Sequence, residues 1–178
     1  MENFEYYTPT KIIFGKGAEE RVGTEIASRG YKKVLVHFGG TYLQENGTLD
    51  RIHKSLTEAG LTYIDLDGVV PNPRLALAKE GVELCKREGI DFILGVGGGS
   101  AIDSAKAIGY GVKYDGEVWD FYEKIAVAKD SVPVGVVLTL AATGSEMSNS
   151  SVITNEEGWL KRGYSSDLGR PKFAIMNP

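Results

Sequence analysis

Short runs of branched apolar residues alternate along this chain with segments whose apolar residues recur at helical spacing. The predicted strands are 34–38, 61–66, 91–96, 134–138 and 173–176, and the predicted helices are 49–59, 75–87 and 101–110. Strands that alternate with helices of this length are joined by right-handed crossovers and form a largely parallel sheet. Because the strands are apolar almost throughout, we expect helices on both faces of that sheet. The pattern therefore predicts an α/β fold.

Two other segments predict β-hairpins at the edges of the sheet. The first hairpin joins 4–7 to 11–14 through Thr8-Pro9-Thr10, and the second joins 151–154 to 160–164 through 155–158. The sequence contains no internal repeat and no interdomain linker, and its 178 residues suffice for one domain with a hydrophobic core. We therefore expect residues 1–178 to form a single domain.

Composition excludes several classes of partner. The formal net charge is −4, so we expect no basic face for nucleic acid or anionic lipid. No apolar run approaches the roughly 20 residues that span a bilayer, and the acidic N-terminus does not resemble a signal peptide. The only cysteine, Cys85, falls in a helical apolar pattern and is expected to be a buried apolar side chain. These features favour a cytoplasmic protein without disulfides.

The segment Gly97-Gly98-Gly99-Ser100 lies between a predicted buried strand and a predicted helix. Glycines there let the backbone approach a diphosphate, and the free N–H groups and dipole of the helix favour an anion. The spacing matches neither G-x-G-x-x-G nor a P-loop. Two alternatives remain: Ser100 and Asp103 can form a capping box, and the glycines can make a plain turn. Lys106, on the same helix, is expected to be solvated.

Two more polar segments follow predicted strands. Thr139, Thr143 and Ser145 carry hydroxyls that can bind a ribose, a phosphate or a carboxamide, although Thr143 or Ser145 can instead cap a helix. Gly39-Gly40-Thr41 follows an earlier strand, where an acid usually binds the ribose 2′-hydroxyl of a dinucleotide. The first carboxylate after that strand is Glu45, so this segment favours NADP over NAD. An ordinary glycine turn is the alternative.

The sequence offers no candidate metal ligands and no candidate catalytic nucleophile. His37 and His53 are the only histidines, and neither has a histidine three or four residues away. His37 lies within an apolar strand and is expected to pack in the core. We therefore predict neither a metal ligand nor a catalytic residue in this chain.

Five segments, in this order along the chain, give it a resemblance to a known family. They are Thr8–Gly17, Pro71-Asn72-Pro73, Gly97–Ser100 with Asp103 and Lys106, Thr139–Glu146, and Phe173–Pro178. The chain resembles the iron-containing (group III) alcohol dehydrogenases, in particular their butanol dehydrogenase-like branch. It departs from them at Ala141, where many relatives have proline, and at Asn177, where a common pattern has aspartate.

The resemblance implies a Rossmann-like N-terminal domain and a reversible NAD(P)-dependent oxidation of an alcohol to an aldehyde or ketone. The family's all-helical C-terminal domain, which holds a divalent metal (Fe or Zn) on one aspartate and three histidines, is expected to be absent from this chain. A homodimer is possible, and we expect no alcohol oxidation by this chain alone. The resemblance assigns cofactor contacts to Gly39, Gly40, Thr41, Asn72, Gly97, Gly98, Gly99, Ser100, Asp103, Thr139, Thr143, Ser145 and Lys161.

Within those assignments, the glycine segment binds the pyrophosphate, and Gly39 to Thr41 surround the adenosine ribose. Asp103 lies toward the nicotinamide end, and Lys161 lies near the nicotinamide ribose. Two alternatives stay open: the nucleotide domain of a dehydroquinate synthase-like lyase, and a non-catalytic nucleotide-binding module.

Overall fold

The computed structural model describes residues 3, 5 and 7–178, in which strands and helices alternate. The strands are β1 (Lys11–Phe14), β2 (Lys33–Phe38), β3 (Thr62–Leu66), β4 (Phe92–Gly97), β5 (Val134–Leu138), β6 (Ser150–Asn155), β7 (Leu160–Ser165) and β8 (Phe173–Met176). The α-helices are α1 (Val22–Ala27), α2 (Tyr42–Glu45), α3 (Thr48–Glu58), α4 (Leu75–Glu88), α5 (Gly99–Val112) and α6 (Trp119–Tyr122). Short 3₁₀ turns lie at Ala18–Arg21, Glu157–Trp159 and Asp167–Gly169.

Six of the strands form one parallel sheet in the order β1-β8-β5-β4-β2-β3. Helices cover both faces, as the side-chain alternation along β2 shows. Leu35 packs with apolar residues of α4 and α5, whereas Val34 and Val36 pack with those of α1 and α3. The prediction of a largely parallel, Rossmann-like α/β sheet between two helical layers is therefore confirmed.

The connections place a crevice at one edge of this sheet. β2 leads through α3 to β3 on one side, whereas its neighbour β4 leads through α5 to β5 on the other. Adjacent parallel strands whose crossovers diverge in this way leave a gap between their following loops, and ligands of open α/β sheets bind there. The segments 39–41 and 97–100 follow these two strands and flank that gap.

The two predicted hairpins have different outcomes. β6 and β7 pair antiparallel around 156–159, so the second hairpin is confirmed. The first predicted hairpin is wrong as far as it is described: β1 is an edge strand, but it pairs in parallel with β8. Residues 4 and 6 of its other predicted strand lie outside the described residues. In this pairing Ile13 is buried opposite Ile175.

Two residues expected in the core are buried there. His37 is fully buried; its Nδ1 lies 3.0 Å from the carbonyl oxygen of Leu66, and its Nε2 lies 2.8 Å from the Ser104 hydroxyl. Because a carbonyl only accepts, Nδ1 carries the proton, and neutral Nε2 accepts from Ser104. Burial also raises the pKa of Cys85 to about 12, as expected of an unreactive thiol. None of the helices in the described part of the chain has the length and apolar character that crossing a bilayer requires.

Burial lowers the pKa of His37 to about 4, which predicts a pH-dependent stability. Between that value and the 6.5 of an unfolded histidine, the unfolded state binds the extra proton, so the free energy of unfolding falls as the pH falls. We expect His37→Asn to abolish this component. The difference in unfolding free energy between wild type and variant should then shrink by up to about 3 kcal/mol from pH 7 to pH 4. Denaturant titrations at several pH values measure it, and a pH-independent difference would contradict the assignment.

Candidate functional site

The N-terminus of α5 presents unpaired backbone N–H groups to the crevice. β4 ends at Gly97, Gly98 is the N-cap residue, and no side chain caps the helix. The N–H groups of Ala101 and Ile102 donate to Gly98 O, whereas those of Gly99 and Ser100 meet no acceptor among the described residues. Free N–H groups at the positive end of a 14-residue helix form an anion-binding site.

The capping-box alternative for Ser100 and Asp103 is wrong. Ser100 lies inside α5, one residue beyond its start, and the Asp103 carboxylate turns toward a different part of the chain. One Asp103 oxygen accepts the Ser145 hydroxyl at 2.5 Å, and the other accepts the backbone N–H of Val152 at 3.0 Å. Accepting hydrogen bonds on both oxygens favours the ionised form of this carboxyl group. Burial nevertheless raises its pKa, against the opposing effect of the Ser145 hydrogen bond and the Lys106 charge.

Lys106 is buried in the structure, which corrects the prediction of a solvated side chain. Its ammonium group is fully shielded and lies within 2.8–3.0 Å of four oxygens, which share its three N–H donors: Ser145 O, Ser145 Oγ, Ser148 O and Ser150 O. Burial lowers its pKa to about 8, and the charges of Asp103 and Glu146 oppose that shift, so the ammonium persists at neutral pH. Lys106 therefore anchors the segment 145–150 on α5.

The segment 139–149 is an irregular loop, so the helix-cap alternative for Thr143 and Ser145 is also wrong. The Thr143 hydroxyl accepts the Ser145 N–H at 3.3 Å within this loop. The loop packs closely on α5, because a Cβ built at Gly99 would lie only 2.6 Å from Thr143 Oγ1. A Cβ built at Gly98 would have Leu140 Cβ, at 3.6 Å, as its nearest neighbouring atom. Packing of the loop thus requires glycine at 99 but not at 98.

A first cleft of about 370 Å³ opens between α5, this loop, the β6–β7 hairpin and the loop after β3. Seven predicted site residues line it: Asn72, Gly99, Ser100, Asp103, Thr143, Ser145 and Lys161. Sequence reasoning missed its other walls, Pro73, Ser148, Ser150 and Val152. Two local signals could have indicated some of them: the segment Pro71-Asn72-Pro73 for Pro73, and the serine-rich run 148–151 for Ser148 and Ser150.

Lys161 and Asn72 close one end of the first cleft. Lys161 Nζ donates to Asn72 Oδ1 at 2.7 Å, which links β7 to the loop after β3. Asn72 has a φ of +59°, a left-handed conformation that asparagine tolerates better than most residues. The structure thus brings together two polar residues separated by 89 positions in the sequence.

A second cleft of about 300 Å³ adjoins the end of β5, and its described lining residues include none from the glycine segment. Its lining residues are Glu19, Tyr42, Asn46, Thr48, Arg51, Val137, Leu138, Thr139, Asn177 and Pro178. Of the predicted residues only Thr139 is among them. The Thr139 hydroxyl bonds to Tyr42 Oη at 2.8 Å, and its N–H donates to Gly97 O at 3.1 Å. Sequence reasoning missed the remainder because most come from distant segments.

Five predicted residues are not among the described residues that line either cleft: Gly39, Gly40, Thr41, Gly97 and Gly98. Gly39 packs against Val69, whose carbonyl oxygen would lie 2.0 Å from an added Cβ. Gly40 and Gly97 have φ values of +88° and +147°, which favour glycine. Backbone requirements at the strand ends therefore account for Gly39, Gly40 and Gly97, but not for Gly98.

The described residues do not fit a metal centre. No group of three or more His, Cys, Asp or Glu side chains among them could hold an ion. Both ring nitrogens of His37 are occupied, and His53 Nε2 bonds to Asp65 at 2.9 Å. No reaction step through a metal follows from these residues.

The two adjacent glycines offer a matched test of loop packing. We expect Gly99→Ala to displace Thr143 and lower the unfolding free energy by about 1–3 kcal/mol, as overpacking does. Gly98→Ala adds the same methyl in open contact and should change stability by less than about 1 kcal/mol. Urea denaturation of both variants measures the difference. Equal losses would contradict the close contact between Gly99 and Thr143.

Removal of the buried ammonium should loosen the same loop. Lys106→Met keeps the apolar stem but leaves three carbonyl oxygens without their donor, so we expect a loss of about 2–4 kcal/mol. The control Lys54→Met removes a 74% exposed lysine from α3 and should cost less than about 0.5 kcal/mol. Urea denaturation gives the free energies, and limited proteolysis should show faster cleavage within 139–150 in Lys106→Met alone. A Lys106→Met protein as stable as the control would refute the anchoring role.

Comparisons with known proteins agree with this geometry. A family model described as iron-containing alcohol dehydrogenase matches residues 9–178. A probable NADH-dependent butanol dehydrogenase of Bacillus subtilis is 51% identical over all of this chain and 45% of its own length. An NADPH-dependent aldehyde reductase of Escherichia coli is 33% identical, over all of this chain and 46% of its own length.

A solved structure is similar throughout. The crystal structure of NADH-dependent butanol dehydrogenase A from Thermotoga maritima matches all of this chain and 45% of that one, with 43% identity and a TM-score of 0.98. This chain therefore spans a little less than half the length of the relatives it matches. The relatives named here are butanol dehydrogenases and an aldehyde reductase. Since the family model covers nearly the whole sequence, the chain belongs to the iron-containing alcohol dehydrogenase family, as its motifs predicted.

Proposed function

We propose that this chain binds a nicotinamide dinucleotide across its two clefts, with the pyrophosphate on the N–H groups of Gly99 and Ser100. The observation that carries the proposal is the uncapped start of α5, where Gly99 and Ser100 line the first cleft. The second cleft is linked to the same segment through Thr139, whose N–H donates to Gly97 O. A dinucleotide consists of two nucleosides joined by a diphosphate. An anion site with two neighbouring pockets is the arrangement that such a molecule needs.

The first cleft suits the nicotinamide half. Asp103 supplies a carboxylate at its wall, and Thr143 and Ser148 supply hydroxyls that can bind a ribose or a carboxamide. Oxidised nicotinamide carries a positive charge that the reduced ring lacks. The Asp103 charge therefore stabilises the oxidised cofactor more than the reduced one. Lys161, at the end of the cleft, can donate to a ribose hydroxyl.

The second cleft suits the adenosine half. The exposed ring of Tyr42 can pack against a flat base, and Thr139, which also lines the cleft, bonds to Tyr42 Oη through its hydroxyl. Gly39 to Thr41, at the end of β2, adjoin Tyr42 at the start of α2. Their predicted place around the adenosine ribose is consistent with this neighbourhood and stays a proposal.

The reaction we propose for the whole protein is hydride transfer between an alcohol or aldehyde and the nicotinamide ring. The names of the relatives describe butanol dehydrogenases and an aldehyde reductase. This chain would contribute proximity and orientation by holding the ring in the first cleft. The metal that polarises the alcohol oxygen in the predicted mechanism finds no ligand set among the described residues, and the inactivity of this chain alone stays a prediction.

Nucleotide titration tests the proposal. We expect NADH or NADPH to bind the folded chain saturably, with a change in nicotinamide fluorescence. Asp103→Asn should weaken binding of the oxidised cofactor about fivefold more than binding of the reduced form, because a charge interaction is lost. Asp115→Asn, an exposed residue that lines neither cleft, is the control. If the folded chain binds none of NAD, NADH, NADP and NADPH, the proposed function is wrong.

A further inference from the structure

The second cleft contains a charged cluster that the sequence motifs do not indicate. Arg51, on α3, donates from Nε to Glu19 Oε1 at 2.6 Å, from Nη1 to Asn46 O at 3.2 Å, and from Nη2 to Thr48 Oγ1 at 3.1 Å. These three bonds hold the guanidinium in one orientation. A guanidinium has five N–H donors, so two remain for a ligand. The side chain is 38% exposed and lines the cleft.

Glu19 lines the second cleft but is almost completely buried, unlike Arg51, with which it forms an ion pair. Its side chain is only 2% exposed, and Asn177 Nδ2 lies 3.0 and 2.8 Å from its two oxygens. Burial by itself raises the pKa of Glu19, but hydrogen bonds from its own backbone, Arg51 and Asn177 outweigh it and lower the pKa. Glu19 is therefore an ionised group with its oxygens already engaged. It orients Arg51 and leaves the cationic edge toward the cleft.

We propose that Arg51 binds the 2′-phosphate of NADP(H) and makes the phosphorylated dinucleotide the preferred cofactor of this chain. The inference rests on the proposed function, which places the adenosine ribose in this cleft. A fixed guanidinium with two free N–H groups matches the oxygens of a phosphate monoester and forms charge-assisted bonds with them. Glu19 is the one acid among the described lining residues, and its engaged oxygens cannot bind a 2′-hydroxyl in the way that selects NAD.

This assignment agrees with the preference for NADP that the segment after β2 predicted. The Bacillus and Clostridium butanol dehydrogenases similar to this chain are named for NADH, and the Escherichia coli aldehyde reductase is named for NADPH. The relatives thus include proteins named for NADH and one named for NADPH. The cofactor preference of this chain therefore has to be inferred from the residues of its own second cleft.

The test compares NADPH with NADH on wild type, Arg51→Gln and Arg51→Lys. We expect wild type to bind NADPH at least about tenfold more tightly, as one or two charged hydrogen bonds imply. Arg51→Gln should weaken NADPH about ten- to a hundredfold and leave NADH within about twofold. Arg51→Lys should retain part of the preference, since it keeps the charge but loses the planar fork. Arg21→Gln, which removes a 59% exposed arginine that lines neither cleft, should behave like wild type.

A second measurement guards against misfolding of Arg51→Gln, which leaves Glu19 without its cation. Adenosine 2′,5′-bisphosphate and ADP compete for the second cleft of wild type, and the bisphosphate should compete at least about tenfold better. Equal affinity of wild type for NADH and NADPH, or an equal loss of both in Arg51→Gln, overturns the role of Arg51 while the proposed function stands. Failure of both dinucleotides to bind wild type overturns the proposed function itself.

Discussion

The ammonium group of Lys106 is the interaction on which the first cleft depends. It is fully buried at the middle of α5 and binds three backbone carbonyls of the segment 145–150. Ser145 extends this contact, since its hydroxyl accepts from Lys106 and donates to Asp103. One buried cation therefore fixes both the loop that forms one wall and the carboxylate of the opposite wall. A buried charge with this many acceptors is costly to disturb, so the wall is rigid.

The strands explain why those walls meet the start of α5. β2, β4 and β5 are parallel neighbours, so the loops that follow them leave the sheet at the same edge. The hydrogen bond between Tyr42 and Thr139 crosses that edge from the loop after β2 to the loop after β5. The bridge passes above Gly97, where an added Cβ would lie 3.7 Å from Tyr42 Oη. The helix start is thus enclosed on two sides by loops that the sheet itself aligns.

Local sequence pattern predicted the sheet, its helical layers and the glycine segment, because these depend on the order of apolar residues along a few turns or strands. It failed where a side chain meets a distant segment. Lys106 was expected in solvent because nothing within α5 shows that residues about 40 positions later will cover it. Likewise Glu19 meets Asn177 across 158 positions, so no spacing rule could reveal the second cleft. In the first cleft, Gly99, Ser100, Thr143 and Ser145 lie in segments that follow predicted strands, whereas Asn72 and Lys161 came only from the family resemblance. Most of the second cleft was not predicted.

The glycines show why a motif can predict a site and still mislead about its mechanism. Gly99 is required by Thr143 of the loop, and Gly39 is required by the carbonyl of Val69. Both contacts exist within the protein, so these glycines would be needed without a ligand. What remains for the ligand is the pair of N–H groups that the missing cap leaves free at the start of α5. The glycine pattern therefore indicates how the cleft is built, and the unpaired donors indicate what it can bind.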